Sequence, residues 1–322
     1  MRRALVTGAA GFIGSHLSER LLGEGWAVRA IDNFDPYYDR ALKEKNLQAL
    51  RAAEGFEFIE DDLEHADLDS LLEGVDWVFH QAARAGVRRS WGEDFATYVR
   101  PNILCTQRLL EAVRRRPVER LVYASSSSVY GEARGGAVTE ETPRRPLSPY
   151  GVTKLAGEDL VSAYARVFDL PAVSLRYFTV FGPRQRPDMA FHRFYRAMLT
   201  GQALPLYGDG GQERDFTFVA DAVTANLLAA KRGHPGGIYN IGGGSPATIA
   251  GVIELMEQIS GRRARIERHP PQAGDPRRTA ADTTRARTEL GFAPATSLRA
   301  GLEAMHEWIE TLVEPGVPGE ES

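Results

Sequence analysis

The sequence predicts an α/β fold with a doubly wound parallel sheet, followed by a smaller α/β domain. Three observations predict it. Short apolar runs, typical of buried strands, alternate with helix-like stretches over the first half of the chain. The first of these runs leads at once into a glycine-rich turn and then into a helical pattern. After about residue 182 the alternation gives way to segments rich in Gly and Pro, which indicates a second unit.

The composition narrows the functional classes. The chain has 322 residues, a formal net charge of −4, 43% hydrophobic and 25% charged residues, values that are ordinary for a globular protein. The charge argues against nucleic acid as the main partner. No run of 18 apolar residues predicts a membrane span, and the opening MRRALVTG lacks the apolar core of a signal peptide. The single cysteine, Cys105, excludes an intrachain disulfide, so we expect a cytoplasmic protein; we expect no metal site.

The first predicted strand, Ala4 to Thr7, is followed by three glycines in GxxGxxG spacing and then by a helix that ends near Gly23. Strand, glycine turn and helix are the context in which a dinucleotide pyrophosphate binds. Glycines let the backbone approach the phosphates, and the helix N-terminus supplies free N–H groups. The turn therefore predicts a Rossmann-type cofactor site. The candidate contacts in the turn are Gly8, Gly11, Phe12, Ile13 and Gly14.

The second predicted strand, Ala27 to Ile31, ends at Asp32 and Asn33. This is about twenty residues beyond the glycine turn, where an acidic side chain meets the adenosine ribose of a bound dinucleotide. A carboxylate accepts a hydrogen bond from the 2′-hydroxyl and repels a 2′-phosphate. The pair therefore predicts NAD rather than NADP, and the alternative is a solvated carboxylate at a strand end.

The third and fourth predicted strands add further candidates. Phe56 to Ile59 is followed by Asp62 and Leu63, at a plausible edge of an adenine pocket. Val75 to Phe79 is followed by small residues, which suit close passage of a cofactor. His80 has no ligand partner nearby in sequence and is predicted to be a hydrogen-bonded structural histidine. The cofactor candidates after the fourth strand are Gln81, Ala82 and Ala83.

The candidate catalytic residues follow a predicted helix, Asn102 to Val113, and a fifth strand, Leu121 to Ala124, which runs into four consecutive serines. Ser148 suits the N-cap of the next helix, with a proline at its first position. Tyr150 and Lys154 lie four residues apart and therefore project from one helix face. Serine, tyrosine and lysine in this arrangement predict proton transfer. The alternative is an ordinary surface pair.

The proton transfer needs an activated tyrosine. At its ordinary pKa of about 10, a tyrosine is a poor base at neutral pH. A neighbouring ammonium and the positive nicotinamide ring both favour the phenolate, so we expect a lowered pKa for Tyr150. Tyr150 would then accept a hydroxyl proton while the attached carbon gives hydride to NAD⁺. A serine hydroxyl would share the same substrate oxygen.

The second half of the chain has a less regular pattern. We predict strands over Pro171 to Leu175 and Arg214 to Val219, a helix near Phe191 to Leu199, and a turn over Leu206 to Gly210.

Together, TGAAGFIGS, Asp32-Asn33, HQAA, SSSSVYG, YGVTK and RYFTVFGP resemble the extended short-chain dehydrogenase/reductase superfamily, and more narrowly its nucleotide-sugar epimerases. The resemblance covers nearly the whole chain. It implies that Tyr150 is the acid/base and that Lys154 binds the nicotinamide ribose. Counting back from Val-Tyr-Gly, it places the catalytic hydroxyl on Ser126, with Ser127 as the alternative. Tyr177, in the last motif, is a further candidate cofactor contact.

The resemblance also implies a discontinuous domain arrangement, because the segment from Ile238 to Gly243 resembles a strand that rejoins the main sheet. The NAD-binding domain is then expected over 1–182 and 216–245, the nucleotide-sugar-binding domain over 183–215 and 246–315, and a flexible tail over 316–322. A homodimer formed through two helices beside the active site is implied as well.

The residues just before Val-Tyr-Gly distinguish between the reactions that the superfamily catalyses. Related dehydratases and decarboxylases usually have an acidic residue there for the C5 proton, whereas this chain has Ser127 and Ser128. This favours simple 4-epimerisation through a transient 4-keto sugar. The resemblance further implies that Arg214, and the loop that contains Arg278, contact the diphosphate of the substrate, a bidentate task that suits guanidinium. The alternative for Arg214 is a surface arginine.

SSSSVYG with FTVFGPRQRPDMAF most resembles UDP-glucuronate 4-epimerases, so the expected reaction converts UDP-glucuronate to UDP-galacturonate. The alternatives are a UDP-glucose or related hexose 4-epimerase and, more remotely, a non-catalytic dinucleotide-sensing regulator. A sensor would have no use for Tyr150 and Lys154. The candidate partners of a uronate carboxylate are Arg88, Ser127, Ser128, Thr179 and Arg186.

Overall fold

A computed structural model of the chain describes residues 1–132, 136–244, 246–272 and 274–313. The strands are β1 (Arg3–Thr7), β2 (Ala27–Asp32), β3 (Phe56–Glu60), β4 (Trp77–His80), β5 (Arg120–Ser126), β6 (Ala172–Tyr177), β7 (Val180–Phe181), β8 (Ala203–Tyr207), β9 (Glu213–Arg214), β10 (Thr217–Phe218), β11 (Ile238–Ile241), β12 (Ala247–Thr248), β13 (Arg265–His269) and β14 (Arg278–Thr279). The α-helices are α1 (Phe12–Gly23), α2 (Arg40–Arg51), α3 (Leu68–Leu71), α4 (Ala96–Val99), α5 (Cys105–Arg115), α6 (Pro149–Phe168), α7 (Ala190–Thr200), α8 (Val219–Arg232), α9 (Ile249–Ser260) and α10 (Leu298–Glu310). Shorter 3₁₀ or π turns cover Arg88–Ser90, Glu93–Phe95, Arg100–Leu104, Ser127–Val129 and Ala286–Leu290.

Within the described ranges, seven strands form one sheet in the order β3-β2-β1-β4-β5-β6-β11. Every neighbouring pair in it is parallel. The strand order reverses between β1 and β4, and such a switch point leaves a crevice at the carboxyl ends of the strands. The prediction that the segment after Ile238 rejoins the main sheet is confirmed, because β11 pairs with β6.

Helices cover both faces of the sheet, as a doubly wound fold requires. On one face α1 and α8 contribute buried residues such as Leu17 and Leu227. On the other face α3, α5 and α6 contribute residues such as Leu71, Leu109 and Val161. The predicted fold class is therefore confirmed. No helix in the described part of the chain has both the length and the apolar character that crossing a bilayer requires.

A separate apolar core lies outside the sheet. It joins α7, α9 and α10 to β8 through buried side chains such as Phe191, Leu206, Met256 and Met305. This core supports the division into two domains, which we retain as a proposal. The tail expected over 316–322 lies outside the described residues.

The strand predicted over Arg214 to Val219 is wrong. The chain there forms two short strands, β9 and β10, and Val219 already begins α8. The interruption is Asp215, whose buried carboxylate accepts hydrogen bonds from the backbone N–H groups of Gly243 and Gly244. An alternating pattern cannot distinguish such a tertiary anchor from a residue on a regular strand.

Two predicted boundaries also move. The fourth strand begins at Trp77 rather than Val75, because the N–H of Val75 closes a turn onto the carbonyl of Leu72. The turn predicted over Leu206 to Gly210 begins only after Tyr207, since both Leu206 and Tyr207 belong to β8, which pairs with β13.

Candidate active site

A cavity of about 1080 Å³ opens at the carboxyl ends of the sheet strands. All but one of the residues that the sequence nominated line it. They are Gly8, Gly11, Phe12, Ile13, Gly14, Asp32, Asn33, Asp62, Leu63, Gln81, Ala82, Ala83, Arg88, Ser126, Ser127, Ser128, Tyr150, Lys154, Tyr177, Thr179, Arg186 and Arg214. The exception is Arg278, whose partly exposed guanidinium donates to Glu213 Oε1 at 2.7 Å instead of pointing into the cavity.

The glycine turn joins β1 to α1 with little space to spare. Gly8 has φ +68°, and a Cβ there would lie 2.8 Å from the backbone of Ala82 at the end of β4. A Cβ on Gly14 would lie 2.3 Å from the carbonyl oxygen of Gly8. Gly11 caps α1 without any side-chain hydrogen bond, so the first N–H groups of the helix keep their capacity to donate. This turn suits a dinucleotide pyrophosphate.

Asp32 is fixed at the end of β2. Its carboxylate accepts hydrogen bonds from the N–H groups of Ala10, at 3.1 Å, and Phe34, at 2.9 Å. Burial raises the pKa of this carboxyl, whereas the charge of Lys43, with Nζ 3.8 Å away, works to lower it. Lys43 also lines the cavity, and sequence reasoning missed it. The available signal was that this chain has only four lysines.

Hydrogen bonds at two places connect other candidate cofactor contacts that come from different strands. Asn33 Nδ2 donates to Asp62 Oδ2 at 2.7 Å, which connects the ends of β2 and β3. Tyr177 Oη accepts from Asn226 Nδ2 at 2.7 Å and from Gln81 Nε2 at 3.3 Å, which connects β6, α8 and the segment after β4. Asn226 was not expected from the sequence, because it lies on a helix far along the chain.

His80 is a structural histidine, as predicted. It is buried, and its ring nitrogens lie 2.8 Å from Thr7 Oγ1 and 3.0 Å from Thr106 Oγ1. Burial lowers its pKa to about 3, so the ring is neutral at physiological pH.

The candidate catalytic residues meet where β5 faces the start of α6. Ser148 caps α6, its hydroxyl accepting from the N–H of Gly151 at 3.1 Å, and a proline occupies the first position. Tyr150 and Lys154 then project from the first turns of the helix into the cavity. Ser126, at the end of β5, is close enough to Tyr150 to influence the pKa of its phenol. The structure thus brings all three together.

Burial dominates the electrostatics of this trio. Burial raises the pKa of Tyr150, and the nearby Ser126 hydroxyl and the charge of Arg186 only partly oppose this rise. Burial also lowers the pKa of Lys154 to about 7, against the attraction of Glu158. Among the protein's own groups, desolvation thus outweighs the nearby charges, and the expected lowering of the Tyr150 pKa, which also depends on the charge of the nicotinamide ring, stays a prediction. A phenolate would need further positive charge in the cavity.

A buried ion pair supports this region from below. Glu158, one turn after Lys154 on α6, accepts from Arg176 on β6 at 2.6 and 2.9 Å. It also accepts from Ser125 Oγ at 2.6 Å. Arg176 in turn donates to Tyr130 Oη at 2.5 Å. Sequence reasoning missed Glu158 because its partner, Arg176, lies on a different element, β6.

Two of the substrate candidates converge at the other end of the cavity. Arg214 Nη2 and Arg88 Nη2 lie 2.9 and 3.1 Å from the two carboxylate oxygens of Asp275. Arg88 also lies over the ring of Tyr207, 4.2 Å from its centroid. Two guanidinium groups on one carboxylate leave a net positive charge, which favours an anionic ligand. Arg88, named as a candidate partner of the uronate carboxylate, therefore lies beside Arg214, the candidate contact of the diphosphate.

Arg186 lines the cavity with the remaining carboxylate candidates, Ser127, Ser128 and Thr179. It influences the pKa of Tyr150, which indicates that the two side chains are close. Tyr37 and Asp188, which contact Arg186, were not nominated by the sequence. Across the described ranges, no group of three or more His, Cys, Asp or Glu residues is arranged to hold a metal ion.

Comparison with known proteins gives a consistent picture. The model of the NAD dependent epimerase/dehydratase family matches residues 4–242. An uncharacterized UDP-glucose epimerase, YtcB of Bacillus subtilis, is 48% identical over 316 residues, covering 97% of this chain and 99% of the relative. A UDP-glucuronate 4-epimerase of Thermodesulfobacterium geofontis is 37% identical over 316 residues, covering 96% and 97% of the two chains. The crystal structure of UDP-glucuronic acid 4-epimerase from Bacillus cereus, in complex with UDP-glucuronic acid and NAD, has a TM-score of 0.94 at 46% identity, covering 97% of this chain and all of that one.

Proposed function

The chain belongs to the NAD dependent epimerase/dehydratase family, and we propose that it is an NAD-dependent UDP-sugar 4-epimerase that converts UDP-glucuronate to UDP-galacturonate. One observation carries the proposal. Ser126, Tyr150 and Lys154 open into the same cavity as the glycine turn and as Arg186. A hydride acceptor, a proton acceptor and a partner for a sugar carboxylate can therefore act on one substrate.

The residues present fit the cofactor. The glycine turn and the uncapped start of α1 suit the pyrophosphate, and Asp32 suits the adenosine ribose. Lys154 and Tyr177 line the same cavity as Tyr150 and would contact a nicotinamide ribose bound there. NAD⁺ supplies a reversible hydride acceptor for C4 of the sugar, together with a positive ring that favours the Tyr150 phenolate.

The chain's own residues then handle the proton. Tyr150 Oη accepts the proton of the C4 hydroxyl, and the hydroxyl of Ser126 binds the same oxygen. Ser127 and Ser128 occupy the positions at which related dehydratases usually have a carboxylate that removes the C5 proton, so these positions supply no base for elimination. The 4-keto sugar rotates in the cavity so that the hydride returns to the opposite face of C4, and Tyr150 gives the proton back to the C4 oxygen. Net epimerisation at C4 results.

The side chains available for the sugar favour a uronate over a neutral hexose as the substrate. Arg186 supplies a guanidinium, and Ser127, Ser128 and Thr179 supply hydroxyls, a set suited to a carboxylate. The Thermodesulfobacterium geofontis relative is named a UDP-glucuronate 4-epimerase. A UDP-glucose 4-epimerase is the second candidate, because the Bacillus subtilis relative is named for UDP-glucose.

We also propose a cytoplasmic homodimer. Val152, Val167 and Phe168 expose apolar side chains on α6, a helix beside the proposed active site, and the resemblance implies a dimer formed through two such helices. Cys105 is a free, buried thiol, which suits a reducing compartment.

The test is a panel of UDP-sugars incubated with purified protein, without added NAD⁺, with products identified by NMR. We expect UDP-glucuronate and UDP-galacturonate to interconvert, and UDP-glucose to react much more slowly. Efficient epimerisation of UDP-glucose together with inertness towards UDP-glucuronate would overturn the uronate assignment in favour of the hexose one.

A further inference from the structure

Asp188 occupies one edge of the Arg186 guanidinium. Arg186 Nε lies 3.0 Å from Asp188 Oδ1, and Nη2 lies 3.2 Å from Oδ2, so the pair is bidentate. Across residues 1–132, 136–244, 246–272 and 274–313, Arg186 Nη1 donates to no protein group. Both side chains are largely shielded from solvent and line the cavity. Asp188 occupies the Nε–H and one N–H of Nη2, so the two N–H groups of Nη1 and the second of Nη2 are left for a ligand anion on the Nη1 side.

Tyr37 holds Asp188 in this position. Its hydroxyl donates to Asp188 Oδ2 at 3.0 Å, while its ring lies 5.3 Å from the guanidinium carbon of Arg186. Gly86 makes room for the phenol, because a Cβ there would lie 2.3 Å from Tyr37 Oη. Burial raises the pKa of Tyr37, so the phenol stays a donor at neutral pH. The Asp188 carboxylate is thus held from two sides, by a cation and by a neutral phenol.

We propose that Tyr37 and Asp188 are positioning residues that aim the Nη1 side of Arg186 at the C6 carboxylate of the substrate. This rests on the proposed uronate function. Arg186 and Asp188 together carry no net charge, so the pair adds little long-range attraction for an anion. It selects an orientation instead: Asp188 repels a second carboxylate from the Nε edge, and only the Nη1 side remains for the substrate.

The orientation matters once C4 is oxidised, because the sugar is then a β-keto acid. If the C5–C6 bond aligns with the carbonyl π system, that bond breaks and CO₂ leaves. The electron pair passes into a C4–C5 enolate, which takes a proton at C5 and leaves a UDP-4-keto-pentose, while the cofactor stays reduced. A fixed Arg186 keeps the carboxylate out of this alignment. Loosening Arg186 should therefore divert substrate from epimerisation to decarboxylation.

The variants are Tyr37→Phe, which removes only the hydroxyl that holds Asp188, and Asp188→Asn, which keeps the shape but removes the charge. The matched control is Tyr239→Phe, since Tyr239 Oη also donates to a carboxylate, Glu289 at 2.8 Å, and lies outside the cavity. Thermal unfolding of each purified protein establishes that it is folded.

The first measurement is calorimetric binding of UDP-glucuronate, UDP-glucose and UDP, with every variant combined with Tyr150→Phe so that turnover is slow during the titration. Tyr37→Phe should weaken UDP-glucuronate binding by about three- to ten-fold, the size of an ordinary net hydrogen bond, because the loss reaches the ligand only through Asp188; the other two affinities should change less than about two-fold. Tyr239→Phe should change none. Equal weakening of all three ligands by Tyr37→Phe would mean a merely structural role and overturn the proposal.

The second measurement is the ratio of UDP-4-keto-pentose to UDP-galacturonate, by NMR, with Tyr150 intact. Asp188→Asn and Tyr37→Phe should both raise this ratio at least several-fold over the wild type. Wild-type ratios in both variants would overturn the positioning role while wild-type epimerisation of UDP-glucuronate still upheld the proposed function. Failure of the wild type to bind or epimerise UDP-glucuronate would overturn both.

Discussion

Arg176 on β6 and Glu158 on α6 are 1% and 0% exposed, whereas Arg278 and Glu213, which form an ion pair outside the cavity, are 44% and 31% exposed. The chemistry of the two pairs is the same, and their closest N–O distances, 2.6 and 2.7 Å, are nearly equal. Only the surroundings differ. The buried pair is also hydrogen-bonded to Ser125 and Tyr130, whereas water can solvate Arg278 and Glu213 when the exposed pair separates.

The difference in burial separates a rigid region around the Arg176–Glu158 pair from an adaptable region whose arginines can change partners. Charges buried together cannot separate without leaving one ion unpaired in a poorly solvated place. Arg176 and Glu158 therefore keep β5, β6 and α6 in one arrangement under Lys154. Partly exposed pairs contribute little stability, and their arginines can exchange a protein carboxylate for a ligand phosphate. Arg214 with Asp275 is suited to this exchange.

The largest expected effect is on kcat and concerns Tyr150, which lies on α6 in the rigid region. Tyr150→Phe removes the proton acceptor but keeps the ring, so kcat should fall by about 10²–10⁴. Initial rates with UDP-glucuronate, together with the NAD released on denaturation, measure both properties. The NAD content should match that of the wild type. A variant that keeps more than about a tenth of the wild-type rate would place the proton transfer on another residue.

The second prediction contrasts the two pairs directly through Glu158→Gln and Glu213→Gln. Glu158→Gln should lower the free energy of unfolding by about 3–5 kcal/mol, because Arg176 is left buried without its counter-charge. Glu213→Gln should lower it by less than about 1 kcal/mol, since the freed Arg278 is solvated. Urea denaturation followed by circular dichroism measures both. Similar losses in the two variants would contradict the division into a rigid and an adaptable region.

The smallest expected effect concerns a contact between the two proposed domains, where His16 Nε2 donates to the carbonyl of Pro183 at 3.0 Å. Burial, followed by the charge of Arg184, lowers the pKa of His16 to about 4, with Glu19 opposing. Below its ordinary pKa of about 6.5 the unfolded chain takes up the proton first, so stability falls as the pH decreases from about 6.5 towards 4. This group alone should contribute a loss of up to about 1.4 kcal/mol per pH unit.

The measurement compares urea denaturation of the wild type and His16→Gln at pH 7.5 and pH 5.5. Other groups titrate equally in both proteins, so the difference in their pH dependence isolates His16. The wild type should lose about 1 kcal/mol more than the variant between the two pH values. Parallel behaviour of the two proteins would show that His16 is protonated normally in the folded state.

Much of the cofactor site could be predicted because its determinants are local. The glycine spacing reflects backbone contacts within a few residues of β1, such as Gly14 against the Gly8 carbonyl. The placement of Tyr150 and Lys154 follows from the helical repeat and from the Ser148 cap. The roles of these residues stay predictions, but their convergence in one cavity needed no long-range information beyond the strand order.

The substrate side could be predicted less well because its contacts join distant parts of the chain. The predicted strand from Arg214 to Val219 was wrong because Asp215 anchors a loop that follows β11. Arg278 was expected at the diphosphate, yet it faces Glu213, 65 residues away in sequence. The sequence shows that an arginine is present but not which way it points.

By itself, then, the sequence determined the doubly wound sheet, the glycine turn, Asp32 and the serine–tyrosine–lysine set, since each depends on spacing along one strand or helix. Only the tertiary structure decided which charges face one another. Tyr37 meets Asp188 across 151 residues, and the burial that raises the Tyr150 pKa comes from surrounding elements. The physical reason is that local backbone geometry is encoded in neighbouring residues, whereas desolvation and ion pairing depend on the complete path of the chain.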